Sequence, residues 1–200
     1  MTGIRAALAL IALSLGACTP TAALMTPPPT VNPPAGRSDE ATGGVAFSAG
    51  GAGSSVSYGP WQVKGAGIAL AYSGDGAWAG TWDGTAVRLV ASQGRLQGPG
   101  TDLLIEQHDG AISMRGSWAG RSVDVTVGKK GLRGRIDPGG CTLEFAPAEV
   151  GTLTGPVGCP GGAGKGATSA TGTLRLQGEA VLVPGVLLPQ FVVALLASLP

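Results

Sequence analysis

Histidine, aromatic rings and charge are all scarce in this chain, and each shortage closes off a class of chemistry. One histidine occurs in 200 residues, His108, with only Glu106 and Asp109 nearby. A hydrolytic triad or an imidazole metal centre built on it would lack any supporting motif. Aromatic residues make up 4% of the chain and charged residues 12%. Thirteen basic residues stand against twelve acidic ones, so no global field would draw nucleic acid or an acidic polymer. Three cysteines without a Cys-x-x-Cys spacing give no zinc-type ligand set. Gly161-Gly162-Ala163-Gly164-Lys165-Gly166 invites a phosphate-loop reading but fails it. Cys159 stands where the first glycine is required, and Gly166 where Ser or Thr must hold magnesium. Asp75, Asp83, Glu106 and Asp109 could form a glycosidase pair only by meeting in space, because their spacing does not pair them. The expectation is a protein that is not an enzyme and takes no cofactor or metal.

The apolar run near the N-terminus is short of spanning length as well. Residues 6–15 form an apolar stretch of ten, too few to cross about 30 Å of hydrocarbon at about 1.5 Å per residue. With Arg5 before it and the small Gly16 and Ala17 after it, the stretch reads as a secretory signal. Leu15-Gly16-Ala17-Cys18 resembles the lipobox of bacterial lipoprotein precursors: an apolar residue, two small residues and an acylated cysteine. The resemblance covers residues 1–18. It implies cleavage before Cys18, a thioether diacylglycerol there and a palmitate-type acyl chain on its amino group. One chain alone binds a membrane marginally, at about 0.8 kcal/mol per buried CH₂, so several chains are what make an anchor. In that family's sorting rule an Asp after the cysteine retains the protein at the inner membrane. Thr19 stands there, which implies the outer membrane. An ordinary cleaved signal is the alternative.

Composition then divides the chain into 1–17 (signal peptide), 18–57 (lipidated N-terminus and linker) and 58–200 (a β domain). Pro20, Pro27, Pro28, Pro29, Pro33 and Pro34 favour an extended tether, and residues 43–57 turn rich in Gly, Ala and Ser. Without Arg5, twelve basic residues balance twelve acidic ones. A local excess remains in Arg115, Arg121, Lys129, Lys130, Arg133 and Arg135 against Asp124. It suits either anionic headgroups and polymer phosphates or a solvated strand face, and the plainer reading is preferred.

Period-two alternation marks the β domain. Val87, Leu89 and Ala91 share one face with Arg88 on the other; Val123, Val125 and Val127 alternate with Asp124 and Thr126; Leu174 and Leu176 flank Arg175. An internal repeat of about 36 residues sets Gly80-Thr81-Trp82-Asp83-Gly84 on Gly116-Ser117-Trp118-Ala119-Gly120, and Leu96 and Gly98 on Leu132 and Gly134. A third, degraded copy aligns Gly110-Ala111-Ile112-Ser113 with Gly151-Thr152-Leu153-Thr154. The pattern predicts an all-β, Gly-rich antiparallel meander, either a barrel or a sandwich, built by duplication. Gly80-Thr81-Trp82, followed by Leu96-Gln97-Gly98, resembles the Gly-x-Trp strand that opens streptavidin-like and lipocalin-like barrels. The ligand side chains of that group have no counterparts along the chain. The simpler expectation is that Trp82 and Trp118 are symmetric core anchors.

With Cys18 given to lipid, Cys141 and Cys159 remain as a pair. A hairpin centred near Val150 would place them opposite each other, with Leu143, Phe145, Leu153 and Val157 on the same face, so a structural disulfide is expected. Residues 181–200 carry no charge and are long enough to span a membrane, but Pro184, Gly185 and Pro189, the lack of flanking basic residues and the anchor at Cys18 speak against it. A helix from Pro189 would line up Leu188, Phe191, Val192, Leu195, Leu196 and Leu199 on one stripe, with Gln190, Ala194, Ala197 and Ser198 opposite, packed on the sheet. Two functions fit: an envelope lipoprotein contacting proteins or surface polymers, or a small barrel holding an apolar ligand with the helix as lid.

Overall fold

The computed structural model describes residues 41–137, 140–159, 168–178 and 188–200, and the alternating segments there form fourteen antiparallel strands. They are β1 (Gly43–Ala49), β2 (Ala52–Tyr58), β3 (Gln62–Gly65), β4 (Ile68–Gly74), β5 (Ala77–Trp82), β6 (Thr85–Ser92) and β7 (Arg95–Gly98). Then come β8 (Thr101–His108), β9 (Ala111–Trp118), β10 (Arg121–Gly128), β11 (Gly131–Asp137), β12 (Cys141–Glu149), β13 (Thr152–Cys159) and β14 (Thr168–Gly178). Helix α1 (Leu188–Ser198) follows. Each strand pairs with the next, and β14 returns to β1, setting Val45 opposite Leu176 and Phe47 opposite Leu174. Of the two expected architectures the chain adopts the closed barrel, which leaves no sheet edge for another chain to pair with. We call the end carrying the turns after odd-numbered strands the upper end.

The boundary expected at residue 58 is corrected. Residues 43–57 supply β1 and most of β2, two neighbouring staves of the barrel. Val45, Phe47, Val56 and Tyr58 point inward and are buried, while Ala46, Ser55 and Ser57 alternate outward. Their small, linker-like composition belongs to the outer face.

The 36-residue repeat is a repeat of strand and turn. Asp83-Gly84 and Ala119-Gly120 both have positive φ at both positions (45° and 77°, 51° and 76°), the geometry that lets a two-residue turn follow the strand twist. Strands β6 and β10 start directly after them. A finer period lies inside. Gly80, Gly98, Gly116 and Gly134 are eighteen residues apart, one on every second strand. A Cβ at these positions would lie 1.9, 2.5, 2.1 and 2.4 Å from a carbonyl oxygen of the preceding strand. Gly65 on β3 and Gly155 on β13 extend the row. Mid-strand glycine at such a close backbone approach is how a sheet bends sharply enough to close.

Helix α1 lies against the inner faces of β1, β2 and β3. Its packing corrects the one-sided stripe: Gln190, Val193, Ala194 and Ser198 are buried along with Phe191, Val192, Leu195 and Leu196. A helix apolar nearly all round belongs in an interior. Phe191 meets the ring of Tyr58 with centroids 6.3 Å apart. Seven residues on, the carbonyl of Ser198 accepts from the Ser54 hydroxyl, so the helix runs antiparallel to β2 and ends at the upper mouth.

Cys141 and Cys159 are bonded, with Cα atoms 4.0 Å apart, in the register Thr142 opposite Gly158 and Leu143 opposite Val157. Replacing both by Ser should cost about 2–5 kcal/mol, read as a lower urea midpoint. A midpoint equal to that of the parent would show that the bond contributes nothing.

Candidate functional site

Inner and outer faces differ sharply, and that difference frames the search for a site. Inward positions are apolar: Leu96, Leu103, Met114, Trp118, Val125, Leu132 and Leu174 have no exposed surface. Outward positions carry the charges, paired across neighbouring strands and, for Arg135 and Asp137, along β11. Arg115 bonds Asp124 at 3.4 Å, Arg133 bonds Glu144 at 3.4 Å, and Arg135 bonds Asp137 at 2.9 Å. Arg95 donates to Asp102 at 2.7 Å, and that hydrogen bond holds the Asp102 carboxyl below its ordinary value. Such exposed pairs stabilise only slightly. Three of the six basic residues from Arg115 to Arg135 thus belong to a solvated, charge-paired face. A transmembrane barrel presents an apolar band outward, and here the pattern is reversed. Among the described residues no helix is long and apolar enough to cross a membrane.

The candidate catalytic side chains do not converge. Asp83 lies in an upper turn, whereas Asp75 and Asp109 lie in lower turns separated by the β6–β7 turn. His108 is exposed at the lower end of β8, beside Asp109. Among the described residues no three His, Cys, Asp or Glu side chains come together as a metal site would require. Cys18 and the 161–166 glycine loop lie outside the described residues. A groove of about 470 Å³ runs between the β8–β9 and β10–β11 turns, lined by Asp109, Thr126, Lys129, Lys130 and Arg133. Of its basic residues, Arg133 is paired with Glu144 at 3.4 Å.

The upper mouth is chemically the most distinctive place. Trp82 and Trp118, the repeat-related tryptophans, meet there with centroids 4.7 Å apart; the expected symmetry is corrected, since Trp118 is fully buried in the core and Trp82 only partly. Directly opposite Trp118 in the β9–β10 ladder stands Arg121. It shares the inward parity of Val123 and Val125 and is half-buried. Burial pushes its pKa below the usual arginine value. It donates to an oxygen of Pro200, the last residue of the sequence, at 2.6 Å. The Trp118 indole N–H is buried without an acceptor. Sequence reasoning counted Arg121 among a basic run. The signal that separates it is parity, since Asp124 and Thr126 occupy the opposite face.

No family model matches this chain, and no curated protein or solved structure matches it either.

Proposed function

We propose that this chain is a lipoprotein of the bacterial cell envelope, anchored through lipid on Cys18 at the outer membrane. Its barrel would act without catalysis, through contacts of its outer face with envelope proteins or surface polymers. What favours contacts over an enclosed apolar ligand is one observation: the protein's own helix, buried on nearly all sides, lies along the inner wall. A helix acting as a lid would keep a solvent face, and Gln190, Ala194 and Ser198 deny it one. The polar outer face is then the surface available to a partner.

Cys18→Ser tests the anchor. The variant should accumulate as an unprocessed precursor that takes up no labelled fatty acid. Normal cleavage and labelling of that variant would remove the anchor from the proposal. Native mass spectrometry of the lipidated protein tests the rest, because a stoichiometric small apolar molecule would favour the ligand-binding reading instead.

A further inference from the structure

We propose that the lower end of the barrel docks on an anionic membrane surface, through one arc of its rim that carries Lys129, Lys130, Val150 and Trp61. The inference rests on the Cys18 anchor proposed above and adds the face that the barrel turns toward the bilayer.

Barrel order sets these residues side by side. Round the lower rim, the β10–β11 turn holds Lys129 and Lys130, and the β12–β13 turn holds Val150. The seam of β14 and β1 comes next, and then the β2–β3 connection with Trp61. Gly43, where the chain enters the barrel from the Cys18 side, lies in that seam, opposite Gly178 and Tyr58. The tether thus arrives in the middle of the arc, and an anchor ahead of it brings this end to the bilayer first.

Each of the four side chains is presented for contact. Alternation along β12 stops at Phe145: Ala146, Pro147, Ala148, Glu149 and Val150 are all exposed, and the pairing with β13 shifts register between Pro147 and Glu149. Val150 is 91% exposed, and Leu104 is the one other large apolar residue described as exposed. Such an apolar knob gains by leaving water. Lys129 and Lys130 are exposed and neither makes an ion pair, whereas Arg133 beside them is bound to Glu144. A lysine at a bilayer lays its stem on apolar groups and keeps its ammonium among headgroup phosphates. Trp61 is partly exposed, with its ring tilted against Tyr72 at 5.5 Å. The Tyr72 hydroxyl in turn accepts from the Gly76 N–H at 3.0 Å, which fixes the platform. Tryptophan with one apolar side packed and a polar edge free to reach water suits the headgroup level.

The acidic groups of the lower turns bound the contact. Asp109 and Asp75 occupy the turns just outside the two ends of the arc, and Glu149 within it accepts from Thr152 Oγ1 at 3.1 Å. Anionic headgroups are accepted inside the arc and repelled beyond it, so the barrel tilts onto this side of its rim. The opposite end has no equivalent. Its turns Gly50-Gly51, Ala66-Gly67, Asp83-Gly84, Pro99-Gly100 and Ala119-Gly120 contain no basic and no large apolar residue.

The test separates docking from acylation. The barrel closes within residues 43–178 and holds its helix by residue 198, so residues 19–200 keep all of it. A hexahistidine tag in place of Cys18 attaches this protein to nickel-chelating lipid in vesicles of phosphatidylcholine and phosphatidylglycerol with brominated acyl chains. Tryptophan emission should be quenched relative to unbrominated vesicles, and Trp61→Phe should remove that quenching. Lys129→Glu with Lys130→Glu should reduce it about threefold or more, as should omission of phosphatidylglycerol. Val150→Asp should reduce it too, and at so exposed a position it changes no core contact. Arg88→Gln, on the outer wall of β6, should leave it unchanged. Absence of quenching in the parent would overturn the proposal. So would equal quenching in the parent and the lysine variant, or equal quenching on phosphatidylcholine alone. Because the tag holds the protein to the vesicle, a chain that takes up no fatty acid at Cys18 would defeat the anchor and leave this measurement intact.

Discussion

Leu195→Asp is expected to unfold the barrel. Leu195 has no exposed surface and sits on a helix buried nearly all round. Truncating such a leucine to Ala costs about 2–5 kcal/mol, and a carboxylate in its place adds an unpaired buried charge. The total approaches the whole stability of an ordinary domain, about 5–15 kcal/mol. Circular dichroism should then show loss of the cooperative thermal transition at neutral pH. Deleting residues 188–200 should act similarly and expose the apolar inner face, with aggregation as the visible result. A protein that keeps its transition and becomes more soluble after the deletion would show that the barrel does not depend on the helix. The segment would then have to belong elsewhere, with a membrane the first place to look.

Gly80→Ala carries the other large expected effect, through sterics alone. Its backbone lies outside the left-handed region, so alanine is conformationally acceptable there. The new methyl would nonetheless sit 1.9 Å from the Ala69 oxygen and within 3.0 Å of Leu70 Cα. Both obstacles are backbone and neither can rotate away. A cost of about 3 kcal/mol or more is expected, at the top of the range for overpacking. Gly84→Ala is the matched control. It has φ of 77° and open space around it, so only left-handed strain of about 1–2 kcal/mol applies. Urea unfolding of the two variants should rank Gly80→Ala as the more destabilised. The reverse order would mean that the glycine row does not mark a close approach of strands.

Period-two patterning made much of this fold legible. Val123, Val125 and Val127 fall inward as their alternation with Asp124 and Thr126 requires. The Cys141–Cys159 pairing followed from parity around Val150. What escaped did so for identifiable reasons. In residues 43–57 the inward positions are Val45, Phe47, Val56 and Tyr58, but the intervening Gly, Ala and Ser dilute the signal to that of a linker. The eighteen-residue glycine period was hidden inside the thirty-six-residue one, because tryptophan recurs only on alternate hairpins. The near-complete burial of α1 was not readable from its own sequence, since Ala194, Gln190 and Ser198 look polar or neutral in isolation. Arg121 was obscured by its basic neighbours, although its parity with Val123 was available.

Closure of the barrel also sets when the protein can become itself. The first strand finds one of its two neighbours only in the last, with Val45 opposite Leu176 across roughly 130 intervening residues. Every hairpin between them is local and can form early, in microseconds. The final seam has to wait until the far end of the chain is present, and such non-local pairing is intrinsically slow. Until that moment β1 has an open edge and the inner wall has no helix. The interval between local assembly and the last pairing is therefore when this chain is most exposed to proteases and to its own kind.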